Sequence, residues 1–262
     1  MDGLKHFRAQ AIIFDKDGTL IDFDAMWGGW AVYLAGQIHA TSGLDIHAPL
    51  YQALGYDVAT RKVLAGGKLA SQPMAHLYQL TVEVVHASGL NLHEAEWVVE
   101  QTWRIPDPVR LAKPFTDLRA LFAALHRQGI LVAIATADDR APTEAMLEAF
   151  DTAEFISTMV CADDGIPSKP APDMVLTICK RLNVDSKKVM VVGDTASDLK
   201  MAHAAGAGLA VGVLSGVSSA RDLIPHADLL LDSVDDFHAY AEILAGNEPA
   251  QPQTDMNPDF VF

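Results

Sequence analysis

The chain has 262 residues, half of them hydrophobic, with a formal net charge of -15 and a sequence pI near 4.9. That length holds one sizeable core and a smaller second unit. The acidic balance argues against a nucleic-acid partner, which needs clustered Lys and Arg, and an acidic protein that takes up a phosphate needs a metal ion or a well-placed lysine to do so.

Nothing at the N-terminus reads as a signal peptide, and no apolar run approaches the roughly 20 residues of a membrane span. The first element is Ile12-Ile13-Phe14, closed by Asp15-Lys16-Asp17-Gly18-Thr19-Leu20. Apolar residues ended by Asp and Gly predict a buried strand entering a tight loop. Both carboxylates then stand at the carboxyl end of a strand, where open α/β sheets bind ligands. One can serve as a nucleophile and the other as acid and base. A plain Asp/Gly turn competes with this reading. A calcium loop does not, because Ile13 would have to be its first ligand.

Residues 22–113 show helical periodicity, no convincing buried strand and all four tryptophans, Trp27, Trp30, Trp97 and Trp103. They read as a helical unit inserted after the first strand, with Pro106, Pro108 and Pro114 marking the return. Trp27 and Trp30 are expected to pack the core of this unit. Gly66-Gly67-Lys68 is not a Walker loop, since Leu69 stands where Ser or Thr is needed.

Leu118, Leu121, Phe122 and Leu125 predict a helix capped by Thr116 and ended by Gly129, feeding a strand over 130–135. Thr136 closes that strand, where its hydroxyl can meet a phosphoryl oxygen or simply cap a helix. A weaker strand follows at 155–160. In Ser168-Lys169-Pro170-Ala171-Pro172-Asp173, Pro172 fits the first turn of a helix. Lys169 just before it can neutralise a nucleophilic carboxylate and a phosphoryl group together, or sit solvated in the loop. A strand at 189–192 runs into Gly193-Asp194, with Asp198 on the next helix. These two offer hard oxygens suited to Mg²⁺, helix capping being the plain alternative. Further strands fall at 209–213 and 229–231. Gly206-Ala207-Gly208 lacks the third glycine of a dinucleotide site. Cys161 and Cys179 have no metal or disulfide spacing; as reduced, packed thiols they suit a cytoplasmic protein. The polar, Pro-rich stretch 247–262 reads as a mobile tail on which Phe260 and Phe262 can dock. Alternating strands and helices imply parallel strands joined by crossover helices.

Taken together, 14–20, Thr136, Lys169 and Gly193-Asp194 with Asp198 resemble the four ordered motifs of the haloacid dehalogenase-like hydrolase superfamily. The likeness runs from about residue 9 to 232. It implies an α/β fold, a Rossmann-like parallel sheet core over 1–21 and 114–246, with an inserted all-helical cap over 22–113 that hinges near 21–23 and 113–114. The gap from Thr136 to Lys169 is too short for a second cap.

The resemblance implies a Mg²⁺-dependent phosphatase, similar to phosphoglycolate phosphatases, acting on a small phosphorylated metabolite. Asp15 would attack phosphorus and form an aspartyl phosphate. Asp17 would protonate the leaving oxygen and then take a proton from water. Mg²⁺ would be held by Asp15, the Asp17 backbone carbonyl and Asp194, with Asp198 acting through water, and Lys169 would help keep Asp15 ionised. Thr136 and loop N–H groups would bind the other phosphoryl oxygens. Ala137, Arg61 and Lys68 are candidate substrate contacts, solvated charges being the alternative for the last two. Asp17 argues against dehalogenation, and with no membrane span it excludes an ion pump of the Asp-Lys-Thr-Gly-Thr type. A sugar phosphomutase similar to β-phosphoglucomutases shares all four motifs and differs in whether the cap excludes water. A metal-binding regulatory module with a degenerate site is the reading from outside enzymology.

Overall fold

The computed structural model describes residues 7–64, 66–72, 74–104 and 112–244. Along them the strands are β1 (Ala11–Phe14), β2 (Tyr56–Asp57), β3 (Lys62–Val63), β4 (Leu131–Ala135), β5 (Ile156–Val160), β6 (Val189–Gly193), β7 (Leu209–Val213) and β8 (Leu229–Leu231). The helices are α1 (Gly29–Ser42), α2 (His47–Leu54), α3 (Lys68–Ser71), α4 (Met74–Ala87), α5 (Leu92–Thr102), α6 (Leu118–Arg127), α7 (Arg140–Ala149), α8 (Asp173–Leu182), α9 (Ala196–Ala204), α10 (Ala220–Leu223) and α11 (Asp236–Leu244). Six strands form one parallel sheet in the order β5-β4-β1-β6-β7-β8. The chain leaves β1 for β4 and β5 on one side, then crosses to β6, β7 and β8 on the other. The strand order therefore reverses at β1, and the crevice beyond its carboxyl end is where such sheets bind ligands.

Every residue of β1 is buried, because the sheet is covered on both faces. Ile12 and Phe14 join Val132, Ile134, Met190 and Val192 on one face, under Leu121, Phe122 and Leu125 of α6 and Phe237 and Tyr240 of α11. Ala11 and Ile13 join Ala133, Val189 and Val191 on the other, against Val175 and Ile178 of α8 and Leu199 and Ala202 of α9. The Phe14 ring lies 5.8 Å from that of Phe122 and 5.6 Å from that of Phe237. The residue just before the first aspartate is thus wedged between two helices.

The inserted segment has its own core. Trp30, Leu34, Ile38, Leu50, Leu77, Val85 and Val99 form a third buried cluster. A chain of ring contacts links Phe23, Trp27, Trp30, Trp103 and Tyr78, with centroids 5.1–6.1 Å apart. Trp30 also donates its indole N–H to the Arg104 carbonyl at 2.7 Å. Trp97 instead stays about half exposed. Where the chain enters and leaves the insert, its two passages lie side by side. Asp22 N donates to Lys113 O at 2.8 Å and Phe115 N to Leu20 O at 3.1 Å, and Ile21 bridges Pro114 in antiparallel fashion.

Three local expectations change. The helical insert also carries a hairpin, β2 paired antiparallel with β3, too short to register as a strand pattern. Helix α6 is capped by Asp117, whose carboxylate accepts from Ala120 N at 2.9 Å; Thr116 donates to Asp235 at 2.6 Å, tying the helix start to the segment before α11. Pro172 is the cap residue of α8, one position ahead of its first turn. Gly129 follows α6 at φ 74°, as expected. Pro106, Pro108 and the tail 247–262 lie outside the described residues. Replacing Phe122 by alanine should lower unfolding stability by about 3–5 kcal/mol, read from the urea midpoint at unchanged m-value.

Candidate active site

The register of three strands assembles the site. Phe14 pairs with Ile134 of β4 and with Val192 of β6, and Asp15 N donates to Val192 O at 2.8 Å. Asp15 therefore stands level with Ala135 and Gly193, and the next residues along are Thr136 and Asp194. Parallel neighbours are only about 4.8 Å apart, so residues distant in sequence meet at one edge. Asp198 arrives from α9. There Thr195 and Asp198 form a reciprocal capping box, the Asp198 carboxylate accepting from Thr195 N at 3.1 Å and from its hydroxyl at 2.5 Å.

Lys169 closes the constellation. Its Nζ donates to Asp15 Oδ1 at 2.5 Å and lies 2.6 Å from Asp198 Oδ1. Ligand oxygens of Asp15, Asp194 and Asp198 all lie within 4.8 Å of one another, and all three residues are buried. Burial is the main influence on Asp15 and pushes its carboxyl up. Lys169 opposes this, Asp198 and Asp17 add to it, and the outcome is about 6. Asp194 is held well above the usual carboxylate range by burial and then by Asp15 and Asp198. Burial alone would depress Lys169, but Asp15 and Asp198 hold it above the ordinary lysine value.

These residues fit a hard divalent cation. The donors are all carboxylate oxygens, and the single lysine among them reaches only Asp15 and Asp198. Asp194 also presents a free buried oxygen. Its Oδ2 accepts from Val217 N at 2.9 Å, while its Oδ1 has no hydrogen-bond partner among the described residues.

A loop not anticipated from the sequence sets that orientation. Ser215-Gly216-Val217 follows β7 at the same sheet edge, and the Ser215 hydroxyl donates to Gly18 O at 2.8 Å. A Cβ on Gly216 would lie 1.9 Å from Asp194 Oδ2, and one on Gly18 would lie 2.4 Å from the same atom. Both loops close on Asp194 because both carry glycine where the carboxylate passes. A glycine shortly after a predicted strand at the active edge was the available signal.

A second lysine was also missed. Lys16 is only 3% exposed and meets both Asp17 oxygens at 2.7–2.8 Å and Asp138 Oδ2 at 3.0 Å. Burial would lower it, but Asp17 and Asp138 push it up to about 12. Thr136 is buried, and its oxygen accepts from Asp138 N at 3.0 Å. Ala137 beside it is exposed. Arg61 and Lys68 are exposed too, Arg61 at φ 56° in the turn of the hairpin and Lys68 at the first position of α3. No hydrogen bond or ion pair joins either of them to the carboxylates among the described residues. The hairpin is nevertheless tied to the chain leaving the site, since Val63 N donates to Asp24 Oδ1 at 2.6 Å.

Residues 9–206 match the family described as haloacid dehalogenase-like hydrolase, and a second profile of that description matches 173–244. The chain belongs to the haloacid dehalogenase-like hydrolase family. Within reach of this family membership, it is similar to an N-acetylmuramic acid 6-phosphate phosphatase of Pseudomonas aeruginosa, 26% identical over 234 residues that cover 87% of this chain and 93% of the relative. It is also similar to a phosphoglycolate phosphatase of Rhodospirillum rubrum, 28% identical over 198 residues, covering 75% of this chain and 76% of that one. In fold it resembles a HAD family hydrolase from Deinococcus radiodurans R1, solved with bound phosphate and sodium, at a TM-score of 0.66 and 18% identity over 93% of this chain and 99% of that chain.

Two expectations follow from the geometry. Gly216→Ala should displace the Asp194 carboxylate and weaken divalent-cation binding about 10–100-fold, measured by calorimetry. A carboxyl raised from 3.8 to about 6 favours the folded chain below its unfolded value, and that advantage is lost as pH rises through about 6. In chelator, Asp15→Asn should therefore gain thermal stability on the parent protein as pH is raised from about 4 to 6, and a melting-temperature series across that range tests it.

Proposed function

We propose that the protein is a Mg²⁺-dependent phosphatase that hydrolyses a small phosphomonoester through an aspartyl phosphate on Asp15. The observation that carries this reading is the meeting of Asp15, Lys169, Asp194 and Asp198 at the carboxyl edge of the sheet, with Asp17 two residues past the nucleophile. Its relatives from Pseudomonas aeruginosa and Rhodospirillum rubrum, both named as phosphatases, support it.

Asp15 is the nucleophile because its carboxylate is aimed by Lys169 and its backbone is locked between β4 and β6. An oxygen of Asp15 bonds to phosphorus as the bond to the leaving oxygen breaks, and that oxygen takes a proton from Asp17. Asp17 then accepts a proton from the water that cleaves the aspartyl phosphate, returning Asp15. Lys169 offsets charge on the phosphoryl group while holding Asp15, and Thr136 lies one residue past the level of the nucleophile to contact a phosphoryl oxygen. Asp15, the Asp17 carbonyl and Asp194 would hold Mg²⁺, with Asp198 acting through water. When bound, the ion supplies charge stabilisation of the transferring phosphoryl group. The insert over 22–113 acts as a cap, and Ala137, Arg61 and Lys68 are the substrate contacts this reading assigns.

The test is phosphate release from a panel of phosphorylated metabolites, including sugar phosphates and short phosphorylated acids. Asp15→Asn should lower turnover by about 10³-fold or more, and Asp17→Asn by about 10²–10⁴-fold. Chelation should abolish activity and Mg²⁺ restore it. Release that survives Asp15→Asn defeats the reading, and isomerisation of a sugar phosphate without phosphate release would favour a mutase.

A further inference from the structure

Two buried lysines divide the acidic groups at this edge. Lys169 takes Asp15 and Asp198; Lys16 takes Asp17 and Asp138. Lys16 lies between the two motif aspartates in sequence, yet its side chain turns away from the cluster of Asp15, Asp194 and Asp198. Burying an ammonium is costly unless it is paired, and this one is paired with carboxylates from two separate loops.

Asp138 is itself fixed. Its backbone N–H donates to Thr136 Oγ1 at 3.0 Å, its carbonyl accepts from Ala162 N at 2.9 Å, and its Oδ1 accepts from Asp139 N at 2.9 Å. The loop after β4 thus anchors Asp138, Asp138 anchors Lys16, and Lys16 grips both oxygens of Asp17. The backbone around Asp17 is held separately, by Gly18 N donating to Ile21 O at 2.8 Å and by the bridge from Asp17 to Ile21.

We propose that Lys16 is the positioning residue for Asp17, holding its carboxylate outside the metal-binding cluster and beside the Thr136 loop, where it can receive a proton from the attacking water. The inference rests on the phosphatase reading and deepens it. In the step concerned, water oxygen bonds to phosphorus, the bond from phosphorus to Asp15 breaks with its electron pair returning to the carboxylate, and the water proton passes to Asp17. Without Lys16, the Asp17 side chain would lose its tie to Asp138 and the Thr136 loop.

The experiment uses 4-nitrophenyl phosphate with Mg²⁺ in stopped flow, because its phenolate leaves without needing a proton. In Lys16→Met the first phenolate should be released at close to the parent rate, and the steady state should then slow about tenfold or more, giving a burst that approaches one per active site. Asp138→Asn, altered at a partly exposed side chain, should show the same pattern at smaller amplitude and carries the test should Lys16→Met fail to fold. Burst and steady state slowing by the same factor, or neither slowing, overturns the role of Lys16 and leaves the phosphatase reading standing. Absence of turnover by the parent protein, across this probe and the metabolite panel, defeats that reading and the inference with it.

Discussion

Three buried aspartates crowd one sheet edge with a single ammonium group that reaches two of them, and the rest of the edge is arranged to make that crowding tolerable. Asp15, Asp194 and Asp198 are almost completely withdrawn from water, where uncompensated charge is costly. Lys169 offsets part of it, and a backbone N–H from Val217 holds one oxygen of Asp194. The remainder is the electrostatic reason this place would suit a cation. A sheet packed on both faces supplies the rigidity such a cluster needs. Phe14, locked between Phe122 and Phe237, fixes the position of the residue that follows it.

Most of this was legible in the order of the residues. Apolar runs of three to six ended by Asp, Thr or Gly-Asp marked the strands and their carboxyl ends, because a strand buried on both faces has to be apolar throughout. Asp15, Thr136, Lys169 and Asp194 each admitted a plain structural reading as a turn, a cap or a solvated loop charge, and stood out only as an ordered set. Other features were hidden for identifiable reasons. Lys16 reads as a surface charge in any one-dimensional pattern, since its partner Asp138 is reached only through the pairing of β1 with β4. The role of Gly216 depends on where the Asp194 carboxylate passes, which no local pattern encodes. The hairpin of β2 and β3 has two residues per strand, below the length at which alternation can be recognised. At α6, Thr116 and Asp117 are adjacent good caps, and the choice between them was settled by Asp235 drawing the threonine away.

The division of charge at the edge also explains why a strongly acidic protein is suited to a phosphate-bearing molecule. The carboxylates are gathered inward and partly neutralised by two lysines from the loops themselves. The helical insert gathers most of its aromatic residues, Trp30, Trp103 and Tyr56 among them, into a core of its own, while Arg61 lies exposed on its hairpin.

The paired passages between sheet and insert set a mechanical property of the molecule. A single extended thread would let the two parts swing and twist in any direction. Here the segments around Ile21 and Pro114 run against each other and are stitched by hydrogen bonds on both sides of that bridge. A two-stranded ribbon flexes across its flat face and resists shear in its own plane. Any relative movement of the insert would be easiest in that one soft direction, and because the ribbon begins a few residues past Asp17, such a bend would reach the loop that carries Asp15 and Asp17.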